Sequence, residues 1–206
     1  MKFNNYLSKL KCLFVAFIAV LAALSIQTGY ATDMENATVF IQPRVIAPFK
    51  LQDDTDKPFT NANLTDHWSL LFFGFTNCAM ICPTIMTELN KMYQLLEKDE
   101  VKGLPQVVFI SVDPERDTVK RVHDYVRSFN PNFVGVTGDE KQIAALSKQM
   151  GAMYLKITNK DDPKNYDIDH SAFIMLVDPK GQMYGIFSSP HEAQTMAKNF
   201  KEMTAA

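Results

Sequence analysis

Apolar and polar positions fall into blocks along this chain, and the period within each block predicts its element. The run Trp68-Ser69-Leu70-Leu71-Phe72-Phe73-Gly74-Phe75 is almost wholly apolar. A strand buried on both faces reads this way, as in a sheet with helices on either side. Beyond it Ile85, Leu89, Met92 and Leu96 recur at helical spacing, predicting an amphipathic helix from about Cys82 to Lys98 with Pro83 in its first turn. Val107 to Val112 is a second β-rich run, and Val119, Val122, Val126 and Phe129 mark one face of a helix opened by Asp117 as N-cap. A short strand near Phe133 to Val136 precedes a helix from Asp139 to Met150, closed by Gly151 as a left-handed cap.

Tyr154 to Thr158 adds a strand, and the polar stretch Asn159 to Asp169 reads as a loop. Ala172 to Val177 and Gln182 to Phe187 flank the turn Asp178-Pro179-Lys180-Gly181, a hairpin signature, and a last helix begins near Pro190. Nearer the start, alternating apolar residues between Val45 and Phe59 surround a turn-forming Asp53 to Pro58 cluster, which predicts a short N-terminal hairpin. Residues 32–43 are mixed and polar and read as a flexible leader, so the domain is expected over residues 44–206. Strand-helix alternation followed by a hairpin and a helix gives an α/β fold of thioredoxin-like type, a central mixed sheet flanked by helices. In such sheets sites lie at the carboxyl ends of the strands.

The N-terminus changes the picture of where the chain works. Lys2, Lys9 and Lys11 precede an apolar run from Leu13 to Ile26 and a small-residue stretch ending at Ala31. That is the layout of a secretory signal peptide over residues 1–31, and a retained membrane anchor is the alternative. The apolar run is shorter than the roughly 20 residues a spanning helix needs. The expectation is an exported protein. The segment carries three lysines and no acid, so the rest of the chain is more acidic than the overall net charge of −2, the wrong sign for a nucleic-acid binder.

Removing that segment also removes Cys12 and leaves Cys78 and Cys82. Cys78-Ala79-Met80-Ile81-Cys82 sets two thiols four residues apart at a strand-to-helix turn, where both sulfurs can face one side. A helix start favours thiolate at Cys82. Two thiolates select a soft ion such as Cu(I), and an added imidazole also tolerates Cu(II). His170 is the candidate third ligand, placed by its position just before the strand starting near Ala172. A disulfide or two buried thiols, and a turn or core histidine, remain the bland alternatives. His67, His123 and His191 read as surface residues, and Asp113, Glu115 and Asp117 as structural turn and cap residues. Met80 could donate a thioether, but as a loop methionine it reads as uninvolved.

Three segments then carry a resemblance: Gly74-Phe75-Thr76-Asn77-Cys78-Ala79-Met80-Ile81-Cys82-Pro83-Thr84, Ser111-Val112-Asp113-Pro114-Glu115-Arg116-Asp117-Thr118, and Asp169-His170-Ser171-Ala172-Phe173 with Leu176 to Gly181. In this order they resemble the SCO1/SenC proteins, copper chaperones for cytochrome c oxidase. The resemblance implies copper, Cu(I) or Cu(II), held by Cys78, Cys82 and His170. It also implies delivery to the dinuclear copper site of the oxidase's copper-bearing subunit, or reduction of that site's cysteines, in the bacterial periplasm or at the outer face of the inner membrane. Another periplasmic thiol or copper protein is the alternative partner. The chain departs from the family pattern at Asn77, Ala79 and Met80, where a histidine precedes the first cysteine and Pro-Asp follows it. The more apolar surround favours Cu(I), the form of lower charge. The competing reading of the same residues is a thiol-disulfide oxidoreductase that uses Cys78 and Cys82 without metal. A peroxiredoxin-type peroxidase is disfavoured, since only Thr76 meets part of its pattern.

Overall fold

The strand of deepest burial organises the molecule. A computed structural model describes residues 34–158, 162 and 166–205, all within one unit spanning Ala31–Ala206. Ten strands are described: β1 (Ala37–Val45), β2 (Lys50–Asp53), β3 (Pro58–Thr60), β4 (Ser69–Gly74), β5 (Gln106–Ser111), β6 (Val134–Thr137), β7 (Tyr154–Thr158), β8 (Tyr166–His170), β9 (Ile174–Val177) and β10 (Gln182–Phe187). Four α-helices join them: α1 (Ile81–Lys98), α2 (Val119–Phe129), α3 (Glu140–Met150) and α4 (Ala193–Thr204). Eight strands form one mixed sheet in the order β1-β10-β9-β4-β5-β6-β2-β3, and β7 and β8 form a separate antiparallel pair.

Every residue of β4 is buried, which is why its sequence carries no polar alternation. It runs parallel to β5, with Gly74 opposite Ser111, and antiparallel to β9, with Phe72 opposite Ile174. The cysteine loop thus leaves the sheet interior at the carboxyl end of β4. Helix α1 buries Cys82, Ile85, Met86, Leu89, Met92 and Leu96, the predicted face with Met86 and the cysteine added. Asp139 caps α3 by accepting from the Gln142 N–H, and Gly151 ends it at φ 71°, as its place in the sequence implied. The N-terminal hairpin is β2 and β3, and it joins the sheet through β6.

Several expectations are corrected. The flexible leader placed at residues 32–43 is strand from Ala37 onward, and β1 pairs with β10 at the sheet edge. Only Ala37 of its nine residues is buried, so an edge strand here has no apolar pattern to betray it. Its register shifts between Val39 and Arg44, around Pro43, which lacks the N–H a continuous ladder would need. The loop expected over Asn159 to Asp169 ends in β8, where Tyr166 and Ile168 are buried and Asp167 and Asp169 exposed. Aspartate is a poor strand former, and the pairing with β7 overrides that preference. The strand expected from Ala172 starts at Ile174. Helix α2 is capped by Thr118, whose hydroxyl accepts from the Arg121 N–H at 3.3 Å, and not by Asp117. The signal segment, residues 1–31, lies outside the described residues. Among the described residues no helix is long and apolar enough to cross a membrane.

Candidate metal centre

Two unrelated elements bring the predicted ligands together. The chain leaves β4 at Gly74, turns through Phe75 to Met80 and enters α1. The Cys78 N–H donates to the Phe75 carbonyl at 3.2 Å, and the Cys82 N–H donates to Cys78 Sγ at 3.3 Å. Helix N-termini carry unsatisfied N–H groups, and Met80, the N-cap, supplies no side-chain acceptor. The Cys78 sulfur takes one of those N–H groups, and this fixes it on the same side as Cys82. The second element is β8, whose last residue, His170, pairs with Tyr154. Its Nε2 stands 3.1 Å from Cys82 Sγ. Cys78 Sγ, Cys82 Sγ and a ring nitrogen of His170 all lie within 4.8 Å of one another, a spacing one small ion can bridge. His170 stands at the end of a hairpin strand and not simply ahead of a strand of the main sheet, so the meeting is tertiary.

The imidazole is held by two aromatic rings and a backbone carbonyl. Its ring packs against Phe72 and Phe75, with centroids 5.9 and 5.7 Å away. Nδ1 donates to the Ser171 carbonyl at 3.1 Å, which leaves the Nε2 lone pair facing Cys82. Burial holds its pKa below the ordinary histidine value, although the Ser171 carbonyl and the charges of Asp169 and Asp167 pull the other way. The neutral ring is the ligating form. Cys82 corrects an expectation. It is fully buried, and burial pushes its thiol far up, with the neighbouring Cys78 adding to the shift. Its place at a helix start is not enough to favour the thiolate, because desolvation by burial is the largest influence on this sulfur. Both cysteines are free thiols, Cys78 half-buried and Cys82 buried.

The loop before Cys78 is tied down by a residue whose role the sequence did not reveal. Asp117 is buried, and its carboxylate accepts from the Thr76 N–H at 2.9 Å, the Thr76 hydroxyl at 2.5 Å and the Ser111 hydroxyl at 2.6 Å. Arg121 closes the same group, donating to the Thr76 hydroxyl at 2.7 Å and to the Asn77 side-chain carbonyl. A second cluster anchors the hairpin that carries His170. The Tyr166 hydroxyl donates to Asp113 Oδ1 at 2.6 Å, Arg116 bonds both Asp113 and the Tyr166 carbonyl, and the guanidinium lies 3.7 Å from the Tyr166 ring centroid. Asp113 and Asp117 are structural, as expected, but what they hold in place is the site. The available signal was an aspartate pair directly after a buried strand, and nothing in it says where the carboxylates point.

The other histidines stay apart from this cluster. His67 faces Gln106 at 3.2 Å, His123 meets Asp54 at 3.1 Å, and His191 bonds the Phe187 carbonyl at 3.3 Å. All three are part-exposed, in keeping with the surface positions expected, and each has a hydrogen-bonding partner.

The chain as a whole has known relatives. The SCO1/SenC family model matches residues 40–205. An SCO2-like protein of Rickettsia prowazekii is 34% identical over 158 residues, covering 77% of this chain and 76% of the relative. The crystal structure of Arabidopsis thaliana ScoI with copper bound is similar at a TM-score of 0.72 and 33% identity, over 78% of this chain and 99% of that one. Bradyrhizobium japonicum ScoI with copper bound matches at a TM-score of 0.68 and 33% identity, over 77% and 99%. With the three motif segments, the thioredoxin-like fold and the family match in agreement, the chain belongs to the SCO1/SenC family.

Proposed function

We propose that this protein binds one copper ion through Cys78 Sγ, Cys82 Sγ and His170 Nε2 and hands it on in cytochrome c oxidase assembly. The observation that carries the reading is the convergence of two sulfurs and one imidazole within 4.8 Å. Two thiolates favour Cu(I), and the imidazole keeps Cu(II) within reach. Binding displaces the Cys82 proton, so the buried thiol becomes a ligand when the ion supplies the charge that burial otherwise denies. The acceptor we infer is the copper-bearing subunit of the oxidase. Residues 1–31 support export, which sets the exchange in the periplasm or at the outer face of the inner membrane.

The experiment is a titration of the reduced protein with Cu(I) and Cu(II), in wild type and His170→Ala. One copper per chain in wild type and a clear loss of affinity in the variant are expected. Equal affinities would remove His170 from the site.

A second reading rests on the two free thiols. Cys78, the more exposed, would attack a partner's disulfide and Cys82 would then displace it. Cys78 and Cys82 would end oxidised to a disulfide, and the partner reduced to two thiols. That reading predicts turnover that needs both cysteines and is indifferent to His170→Ala.

A further inference from the structure

Of the large apolar side chains exposed among the described residues, Met80 and Ile81 line a cleft with Cys78 and His170, and Met153 and Leu155 line a second one with His170. Two of these are methionines. Met80 is 78% exposed and Met153 76% exposed. Both are mostly exposed to solvent, and each lines a cleft that also contains His170. The two clefts differ in what else they hold. Cys78, Met80, Ile81 and His170 line one of them together, whereas the Met153 cleft contains no cysteine.

We propose that the Met80 thioether is a further copper ligand, a soft donor that engages Cu(I) at the mouth of the cleft beside Cys78 and His170. The inference rests on the three-ligand reading above and deepens it. Met80 is two residues from each cysteine, so its Cα lies within about 7 Å of theirs. Its side chain has three rotatable bonds, and the cleft has a volume of about 440 Å³ in which it can turn inward, against roughly 30 Å³ for a water molecule. Thioether sulfur is neutral and soft and selects Cu(I) over harder ions. The same cleft is edged by Asp167 and Asp169, whose charges draw a cation to its entrance. Cys82, at the back, has no exposed surface, so an arriving ion meets Met80 and half-buried Cys78 first. With two thiolates and an imidazole as its main ligands, a bound Cu(I) would take the neutral thioether as a further, weaker donor, one that an acceptor's ligand could displace.

The test uses the reduced protein and Cu(I) alone, with X-ray absorption at the copper edge and competition against a chromophoric chelator, in wild type, Met80→Leu and Met153→Leu. Both variants change exposed side chains of similar size, so folding is preserved. Wild type is expected to show one more sulfur neighbour than the two cysteines supply. Met80→Leu loses that sulfur and weakens Cu(I) affinity by about tenfold, the low end for tuning a metal site, while Met153→Leu changes neither. Uptake of copper with two sulfurs in both wild type and Met80→Leu, at equal affinity, overturns the Met80 assignment and leaves the Cys78/Cys82/His170 site standing. Loss of the sulfur in Met153→Leu instead also overturns it. No copper uptake by wild type removes both readings.

Discussion

Gly74 makes the space in which the Cys82 sulfur sits: a Cβ at position 74 would lie 2.8 Å from Cys82 Sγ and 2.8 Å from a Phe109 ring carbon. Real Cβ atoms do not approach so closely, and neither neighbour is free to move, since both are fully buried. Gly74→Ala is therefore expected to cost about 1–3 kcal/mol of stability by overpacking. The same clash pushes the sulfur off its line to His170. Denaturant unfolding with a copper titration checks both effects, and a variant as stable and as copper-competent as wild type would contradict the contact.

The Asp117 carboxylate, accepting from three donors on two segments, fixes the loop that presents Cys78. In Asp117→Asn one oxygen becomes an amide NH₂, which faces a donor. Leaving a buried donor unsatisfied costs about 1–3 kcal/mol. The Cu(II)-thiolate absorption should shift in position as well as lose intensity, because the loop geometry changes while all three ligands remain. A purely structural role would lower stability and leave the band unmoved.

Much of this was readable from sequence, and the unread parts share a cause. β4, α1 and the cap at Gly151 follow from local pattern, since burial on both faces, helical periodicity and positive φ each leave a mark at the residue concerned. β1 left none, because eight of its nine residues are not buried and its stability comes from pairing with β10. β8 was hidden by its aspartates for the same reason. Cys78, Cys82 and His170 were picked out as candidate ligands by residue type and motif, but their meeting in space was not readable from spacing. His170 reaches Cys82 across 88 residues of sequence, and Asp117 reaches Thr76 across 41. Such relations exist only after packing.

Tyr166 links the position of His170 to the body of the protein, since its hydroxyl donates to buried Asp113 from the strand that ends in His170. Tyr166→Phe keeps the ring under Arg116 and removes the hydroxyl that Asp113, at 2.6 Å, shares with Glu115, at 3.2 Å; a hydrogen bond to a carboxylate is worth about 1.5–3 kcal/mol. The hairpin should loosen, and copper affinity should fall in wild type but little further in a His170→Ala background. Equal losses in both backgrounds would mean that Tyr166 acts on the cysteines instead.

Asp54, with its side chain 2% exposed, receives Arg127 at 3.0 Å and His123 at 3.1 Å and so ties the β2–β3 turn to α2. Breaking a fully buried pair costs about 3–5 kcal/mol. Arg127 and His123 are 32% and 43% exposed, so Asp54→Ala should cost less than that. Copper stoichiometry and affinity should be unchanged, which makes this variant a control for stability loss remote from the site. A drop in copper affinity would show that α2 transmits the change through Arg121 and Asn77.

His191 sets a pH dependence. Burial lowers its pKa in the folded protein, opposed only by the hydrogen bond to the Phe187 carbonyl. An unfolded imidazole titrates near about 6.5. Between that value and the lower folded one the unfolded chain binds more protons, so the stability due to His191 is complete above about 6.5 and is lost as pH falls through the folded pKa. His170 shifts in the same direction, and wild type carries both contributions. Comparison with His191→Gln, which keeps a donor for the Phe187 carbonyl, isolates one of them. Urea unfolding of the metal-free protein at a series of pH values is expected to show wild type losing stability on acidification faster than the variant. Parallel curves would mean that His191 is protonated in the folded state as readily as in the unfolded one.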